Sequence, residues 1–176
     1  MSGHNKWSKI KHKKAGTDAA KSKIFSKMAK LISTASRQVH GDITSPILRA
    51  VIEKAREYNM PADNIERAVK KGTGSDAEAL EAITYETYGP AGSALIIEAL
   101  TTNRNKAAQE IKFILSKHGF ALAVPGSALW AFTKEGSDWK PNSTVPLSEE
   151  DGKILGKLIE ELEDNDEVQD VYTNAE

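Results

Sequence analysis

The sequence predicts an α+β protein: an N-terminal three-helix bundle followed by an α+β sandwich domain with an antiparallel-rich sheet. Three observations predict it. Apolar residues recur at helical spacing from residue 17 to residue 72, in three stripes interrupted near Gly41 and at Met60-Pro61. Beyond residue 76, short strand-like runs alternate with helical segments and turns. The charge reverses at the same place. Residues 1–74 carry 16 Lys+Arg against 6 Asp+Glu, and residues 75–176 carry 8 against 19, so a net charge of −1 hides a basic half joined to an acidic one. The expected domains are therefore 1–74 and 75–176.

The first helix starts at Thr17 or Asp18, either of which can cap it. On a helical wheel Ile24, Phe25, Met28, Leu31, Ile32, Ala35 and Val39 share an apolar arc of about 120°. Lys23, Lys27, Lys30 and Arg37 fall on the opposite side within roughly 80°. Gly41 is the expected stop. A second helix opens at Ser45-Pro46, a cap followed by proline, with Leu48, Val51, Ile52, Ala55 and Tyr58 as its apolar face. A short third helix runs through Ile65, Ala68 and Val69 to Gly72, and Gly72–Asp76 reads as a linker. No one of these helices can bury its stripe alone, which makes a bundle the economical arrangement.

In the second half, Ile83–Tyr88 and Ser93–Leu100 read as strands around the turn Gly89–Gly92. Lys106–His118 is helical and ends at Gly119. Phe120–Val124 and Ala128–Phe132 read as two short strands split by Pro125-Gly126, and residues 134–147 as a polar loop. Ser148 opens the last helix with a capping-box pattern and acids in the first turn. Glu167–Thr173 closes as a strand.

Composition narrows the function. There is no cysteine, which excludes disulfides, thiolate metal sites and a cysteine nucleophile. The longest apolar run is too short to span a bilayer, the N-terminus lacks a secretory pattern, and the cytoplasm is the expected compartment. The four histidines are scattered, nothing singles out a nucleophile, and neither an enzyme, a metal site nor a cofactor is expected. The first 30 residues hold nine lysines and one acid, Asp18. Such density points to a polyanion, most plausibly nucleic acid.

The candidate contacts are Lys6, Trp7, Lys9, Lys11, His12, Lys13 and Lys14 on an N-terminal arm, with Lys23, Lys27, Lys30 and Arg37 on the first helix. With about six phosphates engaged, log affinity should fall with log salt at a slope near −5. Lysine reads charge and not sequence. Trp7 could stack on an unpaired base or could pack on the bundle and anchor the arm. Helices two and three superficially resemble a helix-turn-helix, although a plain bundle turn is the simpler reading because the basic face lies elsewhere. The acidic half could mask the basic arm or simply form a solvated acidic surface. A weaker alternative uses the basic amphipathic helix as a membrane-surface or partner-binding module, and no oligomeric state follows from the pattern.

Several motifs, in order, resemble the YebC/PmpR family: Gly3-His4-Asn5-Lys6-Trp7 followed by Ile10-Lys11-His12-Lys13-Lys14-Ala15, then Tyr85-Glu86-Thr87-Tyr88-Gly89-Pro90, Asn103-Arg104-Asn105, Leu158–Asp164 and Val168–Asn174. The resemblance covers nearly the whole chain. It implies a non-enzymatic cytoplasmic regulator of gene expression, a DNA-binding transcriptional regulator, while other members, including mitochondrial ones, are described as translation factors acting on the ribosome and its RNA. It also implies a helical first domain and an α+β second domain interrupted by an inserted third, and it adds Asn103, Arg104 and Lys106 as second-domain contacts. Two features depart from the family pattern. Lys106 and Ala107 stand where arginine and threonine are usual, and the inserted domain is missing near residues 134–147.

Overall fold

The computed structural model describes residues 16–176, in two compact units that divide between Leu80 and Glu81. In the first, α1 (Asp18–Gln38), α2 (Pro46–Glu57) and α3 (Ala62–Thr73) bury one another's stripes. The Thr17 hydroxyl caps α1 by accepting from Ala20 N at 3.2 Å. At the other end the chain reverses through two left-handed residues, His40 (φ 52°) and Gly41 (φ 77°). Gly41 N donates to Ser36 O at 2.8 Å, the long-range bond that closes a helix C-terminus. Ser45 precedes α2 as expected, but its hydroxyl makes no cap bond. Proline at the first position, with no N–H to satisfy, leaves one donor fewer to cap. The core comprises Met28, Ile32, Ala35, Leu48, Ile52, Ala55, Ile65 and Ala68, and it includes Met60, which does more than punctuate the chain.

One expectation needs correction here. Gly72 and Thr73 are not linker but the last residues of α3, and Gly72 is buried. A Cβ at Gly72 would stand 2.3 Å from the backbone oxygen of Ser33 and 2.8 Å from Ser36 Cβ. The glycine is what lets α3 press against α1, and the buried Ser36 hydroxyl ties the contact by donating to Val69 O at 2.7 Å.

The second unit is built on an antiparallel sheet in the order β1-β2-β5, with β1 at Glu81–Tyr88, β2 at Ala94–Thr101 and β5 at Val168–Thr173. Central strand β2 is apolar on both faces because both are covered. On one side Leu95, Ile97 and Ala99 meet Ile111, Ile114 and Leu115 of α4 (Arg104–Lys117) and Leu155, Leu158 and Leu162 of α5 (Glu149–Asp164). On the other, Ala94, Ile96 and Tyr172 meet Ala128, Ala131 and Phe132. Ser148 caps α5, accepting from Asp151 N at 3.1 Å while its own hydroxyl donates to the Asp151 carboxylate at 3.0 Å.

The segment over that second face also departs from expectation. Phe120–Val124 forms no strand and contributes only an isolated bridge, Thr87 to Leu122. Residues Leu129–Ala131 are a 3-10 turn, and the predicted polar loop contains a hairpin, β3 (Phe132–Glu135) with β4 (Asp138–Pro141), turning at Gly136 (φ 63°). The cause is Glu86. Its carboxylate is only 4% exposed and accepts from the backbone N–H groups of Gly126 (2.6 Å), Ala128 (2.7 Å) and Leu129 (2.9 Å). Donors that would have served a strand ladder are spent on a side chain.

Helices α4 and α5 are tied where Glu161 accepts from Lys117 Nζ at 2.5 Å and meets His118 Nε2 at 2.7 Å. These two hydrogen bonds hold its carboxyl below the ordinary value of 4.5. The folded state therefore favours the ionised form, and the stabilisation is present above the ordinary value and lost as pH falls through the lowered one. Glu161→Gln is expected to lower the melting temperature at neutral pH, with the gap to wild type closing in acid. Thermal melts across that range check this; a gap unchanged in acid would refute it.

Candidate nucleic-acid interface

The arm candidates Lys6, Trp7, Lys9, Lys11, His12, Lys13 and Lys14 lie outside the described residues. Those on α1 are placed, and the wheel proves an incomplete guide to them. Lys23, Lys27 and Lys30 share one side of the helix as expected, yet all three are half-buried and do not project freely. Arg37 is exposed, but its Nη1 donates to Ala77 O at 2.9 Å, tying down the chain after α3. That contact sits at a cavity of about 510 Å³ lined also by His40 and Gly72–Ser75.

The structure brings together a different set of cations. Between α1 and α3 runs a groove of about 570 Å³ whose rim carries Lys21, Arg67 and Lys71, with Asp18 at one end. Its apolar floor is Phe25, Ala29, Met60 and Ala68, and Ser22, Ser26 and Asn64 add polar groups. Lys21 and Lys71 are exposed and make no ion pair among the described residues. Arg67 donates through Nε to Asp63 O at 3.3 Å and through Nη2 to Asn64 Oδ1, so its fork is oriented by its own helix. A signal for this site was present in the sequence. On the α3 wheel Asn64, Arg67 and Lys71 fall within about 60° of one another, on the side next to Ala68, while Lys21 lies along the apolar line of α1, one turn beyond its end.

In the second unit the three candidates have structural partners. Asn103 caps α4, accepting from Lys106 N at 3.1 Å. Arg104 pairs with Glu81 at 2.9 Å, and Lys106 with Glu167 at 3.1 Å and Glu110 at 3.9 Å. The Glu167 contact raises the Lys106 pKa. Glu167 is 8% exposed, so this acid is not part of a solvated surface. Ala107 is fully buried, and the cap falls to Asn103, so the departure from threonine costs the helix no cap. Around the sheet, Trp130 is 67% exposed while its indole N–H donates to Tyr88 Oη at 3.2 Å. Among the described residues no group of three or more His, Cys, Asp or Glu side chains is placed to hold a metal ion, and no helix is long and apolar enough to cross a membrane.

Comparison with known proteins matches both units. Residues 5–75 match the model described as TACO1/YebC protein N-terminal domain, and residues 80–137 and 136–175 match that described as TACO1/YebC second and third domain. The two later stretches meet at the β3–β4 turn. A protein of Fervidobacterium nodosum named probable transcriptional regulatory protein is 40% identical over 235 residues, covering 99% of this chain and 93% of its own. One of the same name from Thermotoga petrophila is 44% identical over 179 residues, covering 100% and 71%. The crystal structure of the conserved hypothetical protein Aq1575 from Aquifex aeolicus superposes with a TM-score of 0.79 at 29% identity, covering 90% of this chain and 91% of that one. With a helical unit and an α+β unit each matched along its length, the chain belongs to the TACO1/YebC family.

Proposed function

We propose that this protein is a non-enzymatic, nucleic-acid-binding regulator of gene expression, in which residues 1–74 grip the phosphate backbone. The observation that carries the reading is the charge asymmetry, 16 Lys+Arg against 6 Asp+Glu in residues 1–74 and the reverse sign beyond. Cations concentrated on one part of a chain release counterions from a polyanion and bind it without regard to sequence. The family supports this, since its members named above are called probable transcriptional regulatory proteins. The lysines of the arm, with Trp7 and His12, supply the first contacts. Lys23, Lys27, Lys30 and Arg37 lie on α1 behind them, and the exposed heads of Arg104 and Lys106 reach a phosphate only by exchanging an acidic partner. On this reading the family's inserted third domain is missing near residues 134–147, and the chain acts without it. Its site of action is the cytoplasm.

Neutralising Lys9, Lys11, Lys13, Lys23 and Lys27 together should weaken binding to a mixed-sequence duplex at low salt by several orders of magnitude. Fluorescence anisotropy across a salt series measures it, and a wild-type slope near −5 is expected if about six phosphates are held. Unaltered affinity would remove the basis of the proposal. Phosphates belong to promoter DNA and ribosomal RNA alike, so a translational role on the ribosome is the second reading. In-cell crosslinking with sequencing separates them: discrete promoter peaks support transcription control, and dominant ribosomal RNA supports the other.

A further inference from the structure

We infer that the groove between α1 and α3 is a binding site for an unpaired nucleotide, so that the preferred ligand is a single strand, or a base swung out of a duplex. This rests on the nucleic-acid reading above and adds to it which form of polymer is taken.

The argument begins with what the groove offers. Lys21 and Phe25 are four residues apart on α1, and Arg67 and Lys71 four apart on α3, so each pair lies along one face about 6 Å apart on its helix axis. The two faces flank an open groove of about 570 Å³. Its rim is cationic and its floor is apolar: Phe25 is half-buried and Met60 is buried. A duplex presents phosphates and sugars outward and keeps its bases stacked inside, so it could use the rim but would leave the floor facing polar groups or water. An unpaired nucleotide uses both. Its phosphate meets the rim cations, and its base, flat and weakly polar on its faces, covers the part of the Phe25 ring left open in the groove. Ser22, Ser26 and Asn64 stand at the margins, where the polar edge of a base would lie. The guanidinium of Arg67, oriented by Asp63 and Asn64, suits a phosphate better than a mobile side chain would.

The full chain is titrated against labelled oligouridylate, oligothymidylate and a mixed duplex of equal length. Phe25→Leu keeps aliphatic packing but removes the ring, and should weaken single-strand binding about tenfold with little effect on duplex. Arg67→Gln with Lys71→Gln, both exposed positions that leave folding alone, should make the single-strand salt slope shallower by about 1.4. Loss confined to the ribo strand supports the site and names RNA as its source; loss on both strands supports it for either polymer. Equal losses on duplex and single strand, or none from either variant, overturn it. Because the five-lysine variant acts on all three probes, a failure of the groove is distinguishable from a failure of nucleic-acid binding itself.

Discussion

Replacing Glu86 with alanine is expected to destabilise the second unit by about 5 kcal/mol, and with glutamine by about 3 kcal/mol. The carboxylate takes three backbone donors, Gly126 on one oxygen and Ala128 and Leu129 on the other. Alanine leaves all three N–H groups without their acceptor, in a place where the removed side chain was 4% exposed. Glutamine has almost the same shape, but its NH₂ must face at least one of those donors, so it exchanges an attraction for a repulsion. The loss should therefore rank alanine above glutamine, and glutamine well above zero. Hydrogen exchange gives the most direct check. The amides of Gly126, Ala128 and Leu129 should lose protection in both variants, and the bond from Ala123 N to Glu86 O, which uses backbone alone, should outlast them. If glutamine were neutral, the clamp would be a matter of shape and not of charge.

The second large effect is expected at Gly72. Gly72→Ala places a methyl 2.3 Å from the carbonyl oxygen of Ser33 and 2.8 Å from Ser36 Cβ. Neither neighbour is the far end of a flexible side chain, so the helices must separate. Overpacking of this kind costs about 3 kcal/mol, more than alanine's better helix propensity of about 1 kcal/mol returns. For a unit of this size the melting temperature should fall by more than 10 °C, roughly, as circular dichroism would record. Adding Ser36→Gly should recover only part, because the Ser33 oxygen remains. Full stability in Gly72→Ala would mean that α1 and α3 are not in close contact. Because the groove is formed by the same two helices, the variant should also lose whatever preference for single strands the wild type shows.

How much of this was legible in the chain depends on the distance over which each feature is decided. The stripes of α1, α2, α4 and α5 were readable because helical periodicity is local: Met28, Ile32 and Ala35 repeat on their own stretch of backbone. Thr17, Ser148 and Gly119 were readable as boundaries for the same reason. The segment 128–132 was misread because its Trp and Phe are strand formers, while the acceptor for the N–H groups of Ala128 and Leu129 is a glutamate some forty residues upstream. The hairpin at 132–141 was missed because its strands are four residues each and only Phe132 among them is buried, with little alternation to detect. Among the cations, a wheel shows which side of a helix is basic but not which lysines are already half-buried, and Lys21 had no partner in sight until α3 lay beside it.

Taken alone, the order of residues determined what each segment prefers to be and where charge accumulates, since both follow from near neighbours along the chain. Tertiary structure decided what required two distant segments to meet: a glycine becoming a helix contact, a glutamate replacing a strand ladder, and Lys21 joining Arg67 and Lys71 over an apolar floor. The physical reason is that packing and hydrogen-bond satisfaction depend on approach in space, and no periodicity encodes which surfaces will approach.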